Sequence, residues 1–415
     1  MDITMMNLPD ELLSMICEKI NCVVDLVNLS VCSKRLNFIC KDLTYMNDVY
    51  EIMKINSIKY ALEFNENIKL KINLSESNLT DIPNILGNVH TLDFSNSDYI
   101  KDVSMLSKVH TLNLGCCKEI SDVSMLGNVY DLNLTCCDGI TDFSKLDRVH
   151  ELNLSFCKNI TDVSNLSRVH KLSLHGCYNL TDVSMLGNVH TLKLSGCTQI
   201  TDVSNLGNVY DLNLSGCNGI SDVSMLGKVH TLNLSYCISV KDVSNLGNVH
   251  TLYLPYCISL FDFSNLGNVY NLNLSGCEGL SDVSMLGNVH TLDISYCKNV
   301  TDVSNLGNVH TLNLTSCKNV TDVSKLGNNH TLYLRFCRNI TDVSNLGKVH
   351  TLNLLACEKV TDVSMLGNVY DLNLSSCKNV KDVSMLGRVN TLDISNCMNI
   401  KDISMICDIE NLYIS

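Results

Sequence analysis

The sequence has no excess of positive charge: Lys and Arg number 30 against 43 Asp and Glu, a formal charge of −13. Phosphate binding wants a basic stripe, so nucleic acid is disfavoured as a partner. No apolar run approaches the ~18 residues of a membrane span, so no membrane partner is expected. A basic start is also missing, and Glu11, Glu18, Lys19 and Asp25 interrupt the apolar stretch that follows. No secretory leader is therefore expected, and a cytoplasmic or nuclear location is. C-x-x-C pairs, a usual zinc spacing, do not occur among the 22 cysteines. Neither a metal nor a cofactor is expected.

What the chain has instead is repetition. TLNLGCCKEISDVSMLGNVY from Thr111 matches TLKLSGCTQITDVSNLGNVY from Thr191. The phase holds from Thr91 to Glu410, giving 16 units of 20 residues. A strict period of this size signals a solenoid, in which stacked units share one continuous core. Within one unit the apolar positions are Val109, Leu112, Leu114, Cys117, Ile120, Val123 and Leu126. Leu112 and Leu114 alternate with polar residues at strand period, and Gly127–Asn128 signals a turn. Only Asp122–Gly127 remains for the far side, enough for a 3-10 turn.

This pattern resembles the leucine-rich repeat, and the Cys with its following I-T/S-D is similar to the cysteine-containing subclass. The resemblance covers residues 71–415: an irregular repeat at 71–90, the regular array at 91–410 and a last partial strand at 411–415. It implies an α/β solenoid, a leucine-rich-repeat arc with a parallel concave sheet and a short 3-10 or loop convex side. It also implies protein binding along the concave face.

Three ladders run through the repeats. Fifteen cysteines, Cys117 to Cys397, hold one position and read as buried, reduced packing groups. The adjacent pairs Cys116–Cys117 and Cys136–Cys137 are the place for any redox or metal chemistry. Asp102, Asp122 and their equivalents suit N-caps of the turn; calcium is the competing reading, but its repeats usually have a nine-residue period. Eleven of the 12 histidines precede the strand, where Tyr130, Tyr210, Tyr270 and Tyr370 also stand. A stack of rings fits both residue types, and a pH-sensitive seam is the alternative.

Catalysis would need one copy among many to differ, so no enzyme activity is expected. The departures from the repeat mark candidate contacts instead. The strand face mostly carries Thr, Asn, Ser and Gly, except at Tyr236, Tyr253, Pro255, Tyr256 and Tyr296, and again at Tyr333, Arg335, Phe336 and Leu355. Exposed aromatics and Arg are frequent anchors of interfaces. Drift among near-identical copies is the alternative. Phe156 and His175 are a weaker candidate, and Asn329 in place of a core Val suggests locally relaxed packing.

The first 43 residues read differently. Pro9 suits a first helical turn, Asp10 and Glu11 suit its positive end, and Leu12, Leu13, Ile16 and Ile20 make one apolar face. Residues 44–70 read as a helical linker or cap, with Val49–Leu62 as its helix. The opening L-P-x-E-L-L-x-x-I, followed by D-L-V-N-L-S-V-C-S-K-R-L from Asp25, resembles an F-box over residues 7–41. Near its end, where that family usually has Trp, stand Leu36 and Phe38. The resemblance implies a small helical F-box-like domain docking on a Skp-family adaptor and cullin ligase through Leu8, Pro9, Leu12, Leu13 and Ile16.

Together the two parts look like an F-box/leucine-rich-repeat protein, a substrate receptor of a ubiquitin ligase whose protein substrate is unknown. The alternative is a scaffold whose N-terminal helices only cap the solenoid. Near-identical repeats rich in Asn, Ile and Lys are also similar to repeat proteins of giant amoeba viruses, which would act in host cytoplasm.

Overall fold

A computed structural model of the protein describes residues 44–46 and 71–414. The chain divides into two units, residues 1–194 and 195–415. In the first, Thr44–Met46 pairs in parallel with Lys71–Asn73, so a strand begins the segment expected to be a helical linker. Thr91–Asp93, Thr111–Asn113 and their successors then add strands through Thr191–Lys193, each in register with the residue 20 positions on. In the second, the same pairing runs from Asp211–Asn213 to Asn411–Tyr413. Between strands the chain returns through short 3-10 turns such as Ser124–Asn128 and Ser344–Leu346, as the six-residue allowance predicts. The described array is strand and 3-10 turn without α-helix; the expected helices of 1–43 and 49–62 lie outside the described residues.

The reason for this path is visible in one rung. Val109, Leu112, Leu114, Cys117, Ile120, Val123 and Leu126 are each at most 2% exposed, so all seven apolar positions point inward. A strand of three residues has too little area to be stable alone. Each rung therefore depends on apolar area shared with its neighbours, at roughly 1.5–3 kcal/mol per large buried side chain.

The cysteine position does more than fill space. The Cys117 thiol donates to the Phe94 carbonyl at 3.2 Å, and Cys337 donates to Leu314 at 3.0 Å. In the first rung the Ser97 hydroxyl makes the same bond to Leu74 at 3.3 Å. Burial pushes the thiols up, to about 11 at Cys117 and about 12 at Cys297, which keeps them protonated. A protonated buried thiol is a poor nucleophile and metal ligand.

The aspartates also act locally, though one position earlier than an N-cap. Val123 occupies the cap position, and Asp122 before it accepts the Ser124 N–H at 2.9 Å. This is an Asx-type turn, closed because a short carboxylate reaches the amide two residues on. The Ser124 amide is the first cause holding Asp122 below the usual carboxylate range, and its hydroxyl the second. The ring ladder stacks as expected, with His90 on His110 at 4.5 Å and His290 on His310 at 4.6 Å. Tyrosine fits the same stack, as Tyr270 does on His290 at 4.4 Å.

Asn329 is buried in the place of a core Val. Its side-chain amide donates to the Leu306 carbonyl at 2.9 Å and to that of Val309, at 1% exposure. Its side-chain carbonyl oxygen is buried without a hydrogen-bond partner among the described residues, so only the donor half of the amide is satisfied.

Candidate partner-binding surface

At the third strand residue, most repeats carry Asn for a structural reason. Asn233 accepts the Ser235 N–H at 2.9 Å, and Asn273 accepts that of Ser275 at 2.9 Å. Tyr253 cannot do this. The residue two positions on is Pro255, which has no N–H to be satisfied. The pair Tyr253–Pro255 thus replaces a polar turn with an apolar surface without orphaning a donor. Tyr253 stands 39% exposed, its backbone in register with Asn233 and Asn273.

The residue before each ladder cysteine sits in left-handed backbone. Gly176, Gly216 and Gly276 meet this demand at φ +68°, +71° and +69°. Tyr236, Tyr256, Tyr296 and Phe336 adopt it too, at φ +62°, +55°, +62° and +58°. A bulky L-residue there is an outlier, disfavoured by roughly 1–2 kcal/mol. Some of these rings find room over a small or flat neighbour. Tyr236 stacks on Tyr256 at 5.0 Å and 10°, and Tyr256 covers Gly276, where an added Cβ would lie 2.5 Å from the ring. In the first unit Phe156 covers Gly176 and meets His175 edge-on at 4.6 Å.

The expected residues fall into two clusters and one outlier in the second unit. Tyr236, Tyr253 and Tyr256 occupy neighbouring rungs. Ile238, Ile258 and Phe261, all exposed, extend that patch. The sequence signal for the extension is substitution of charge: Lys118, Lys158 and Lys298 stand where Ile238 and Ile258 do. Tyr333 and Phe336 are half-buried beside exposed Arg335, and Leu355 lies half-buried one rung on. Tyr296, exposed, stands on the left-handed row between the clusters.

Two further features are absent from the sequence-based expectation. A shallow depression of about 240 Å³ runs across the strand face from Tyr333 to Tyr413, floored by Asn353, Asn373 and Asp393. In the first unit Asp131, Glu151, Lys171 and Lys193 line another, of about 270 Å³. Lys171 meets Glu151 at 2.6 Å, and Asp131 is pushed above its usual range by burial first and by Glu151 second. Their signal is charge at strand positions that otherwise carry mostly Thr, for Asp131, Glu151 and Lys171, or Asn, for Lys193.

Leu8, Pro9, Leu12, Leu13 and Ile16 lie outside the described residues. Among the described residues, no three or more His, Cys, Asp or Glu converge on a point that could hold a metal ion. No helix among them is long and apolar enough to cross a membrane.

No protein-family model matches the sequence, and no curated protein does. Solved structures similar to it include an internalin (inlF) from Listeria monocytogenes str. 4b F2365, 19% identical over 94% of each chain with a TM-score of 0.35. The functional domain of InlJ from Listeria monocytogenes, described as including a cysteine ladder, is 19% identical over 82% of this chain and 74% of that one, TM-score 0.43. A leucine-rich-repeat protein of Leptospira interrogans is 15% identical over 87% and 86%, TM-score 0.41. The leucine-rich-repeat architecture is evident in this chain's own strand register, inward leucines and 3-10 turns.

Proposed function

We propose that the array is a protein-recognition scaffold whose partner seats on the aromatic patch around Tyr236, Tyr253 and Tyr256. The observation that carries this is strain borne at the surface. Aromatic rings occupy left-handed positions where glycine would serve the backbone better, and they are exposed. Strain of this kind points to use when the strained group contributes little to the core. Aromatic side chains also supply large contact area with few torsions to freeze.

The finer reading adds what the F-box resemblance implies. Residues 7–41 would hold a Skp-family adaptor through Leu8, Pro9, Leu12, Leu13 and Ile16, and the array would present a bound protein to the ubiquitin-conjugating machinery. Such a receptor acts by proximity, in the cytoplasm or nucleus, with no catalytic residue of its own. The second reading keeps the scaffold and makes residues 1–43 a cap over the open end of the repeat core, which solenoids need.

Capture on an immobilised Skp-family adaptor separates them. The full chain should bind, and the double substitution Leu8→Ala with Pro9→Ala should lose most of that binding while the array's circular dichroism is unchanged. Equal capture of both chains, or none by either, removes the ligase reading and leaves the scaffold.

A further inference from the structure

The left-handed row carries one more departure, in the first unit. Cys116 and Cys136 occupy it on consecutive rungs, at φ +63° and +58°. At no other consecutive rungs of the row do two cysteines meet; Gly, Asn, Ser, Ala, Glu or an aromatic stands at the rest. We propose that Cys116 and Cys136 form a redox-active dithiol, closed to a disulfide by a small-molecule disulfide such as oxidised glutathione.

Backbone geometry sets the pair side by side. Leu112 pairs with Leu132 and Asn113 with Asn133, which fixes the register of the two rungs. The turns that follow are held in the same register: Cys116 N–H donates to Thr135 O at 2.7 Å and Cys136 N–H to Ser155 O at 2.9 Å. Equivalent residues one rung apart are separated by roughly the ~4.8 Å strand spacing. That lies within the ~4.4–6.8 Å Cα separation that a disulfide spans.

Exposure selects this pair over its neighbours. Cys116 and Cys136 are half-exposed, whereas Cys117 and Cys137 are buried. The buried thiols point inward, donating to Phe94 O at 3.2 Å and Leu114 O at 3.1 Å. The nearness of the half-exposed pair also bears on their acidity. Cys136 is raised by burial first, and then by Cys116 both as a charge and as a hydrogen-bond partner, while Lys158 works the other way. Lys158 is itself held nearby by Asp138 at 2.9 Å.

The chemistry balances as two exchanges. One of the two thiolates attacks a sulfur of oxidised glutathione, forms a mixed disulfide and releases a glutathione thiolate. The neighbouring thiolate then attacks the protein-side sulfur, and the second glutathione thiolate leaves. The two cysteines are oxidised, one glutathione disulfide is reduced, and the two cysteine protons end on the two released glutathiones.

The test uses the full chain. Protein exposed to oxidised glutathione is quenched with N-ethylmaleimide, digested with trypsin without reductant and mapped by mass spectrometry. Trypsin cuts after Lys118, placing Cys116 in peptide 109–118 and Cys136 in peptide 119–145. The expected result is a linked pair of these peptides, lighter by two hydrogens than their sum and released by dithiothreitol. Cys116→Asn and Cys136→Asn use the residue that stands at positions 96 and 396 of the same row, so each should fold. Each should abolish the link and leave a stable glutathione adduct on the remaining cysteine. Adducts on both cysteines without a link in the wild-type chain overturn the proposal. So does a link that survives in either Asn variant, since it would run through Cys117 or Cys137. The wild-type map decides the first point even where a variant folds poorly.

Discussion

Tyr296 offers the sharpest test of whether aromatic rings on the left-handed row are tolerated by the backbone or wanted by a partner. It is 55% exposed, so its substitution removes little packing, and its φ of +62° dominates the outcome. Two replacements pull apart the two demands. Asn is enriched in left-handed backbone, so Tyr296→Asn should leave stability within about 0.5 kcal/mol or raise it. Val is β-branched and at its worst there, and Tyr296→Val should lose about 1–2 kcal/mol. No β-branched residue stands anywhere on the row, which agrees with that penalty. Urea unfolding reads the global effect. Hydrogen exchange at the Gly276 amide reads the local one, because its bond to Ser295 O, 2.8 Å long, closes the adjoining turn. A loss of about 1.4 kcal/mol would speed that exchange roughly tenfold in the Val variant and not in the Asn variant. Binding should not follow this order: both variants remove the ring, so both should weaken partner capture equally. If Val proves as stable as Asn, the strain argument fails. If only Val weakens capture, the ring is not a contact and Tyr296 leaves the proposed surface.

Tyr256→Ala should weaken partner capture by about 1–2 kcal/mol and leave adaptor capture unchanged, measured by titration of each against the folded chain. Cys297→Ser should destabilise by only about 1 kcal/mol in urea, because Leu274 O, 3.3 Å from the thiol, remains as an acceptor for the hydroxyl. A loss above about 3 kcal/mol would mean the hydroxyl is unpaired. The ring ladder should weaken in acid. His310 has its pKa lowered by burial first, then by His290 and His330. The unfolded chain therefore takes up the proton first, so this stability is complete above about pH 6.5 and falls as pH drops below it. His310→Tyr, the residue the ladder itself uses at Tyr370, should flatten the acid side of the stability profile; an unchanged profile would refute the coupling.

The core was legible because it is a matter of periodicity. Seven apolar columns, the strand at Leu112 and Leu114, and the short turn all follow from which residues repeat and how far apart. The stacked rings followed from a shared property of His and Tyr. Backbone conformation was harder to read. The left-handed row has its signal in Gly176, Gly196, Gly216 and Gly276, but aromatics, cysteines and polar residues dilute it at the other rungs. Asp122 reads as a cap because Asp favours both caps and Asx turns, and one residue of offset separates the two. The Ile238–Phe261 extension needed the rungs laid side by side, since each residue alone is an ordinary apolar substitution.

A solenoid of near-identical rungs also explains where novelty can occur. Inward positions are coupled to the rung on either side, so a change there is felt three times over. Outward strand positions and the left-handed row touch neighbours only at their edges. A ring placed there can be accommodated by one compensating change one rung on: Gly276 beneath Tyr256, Gly176 beneath Phe156. Ser316 after Tyr296 and Ala356 after Phe336 follow the same order. Four of the five rings on the row are followed by a small residue; the fifth, Tyr236, is followed by Tyr256, on which it stacks. On the proposal made above, the partner seats on the rungs from 236 to 356, and the fold carries most of the rings there at the cost of a change in the following rung alone.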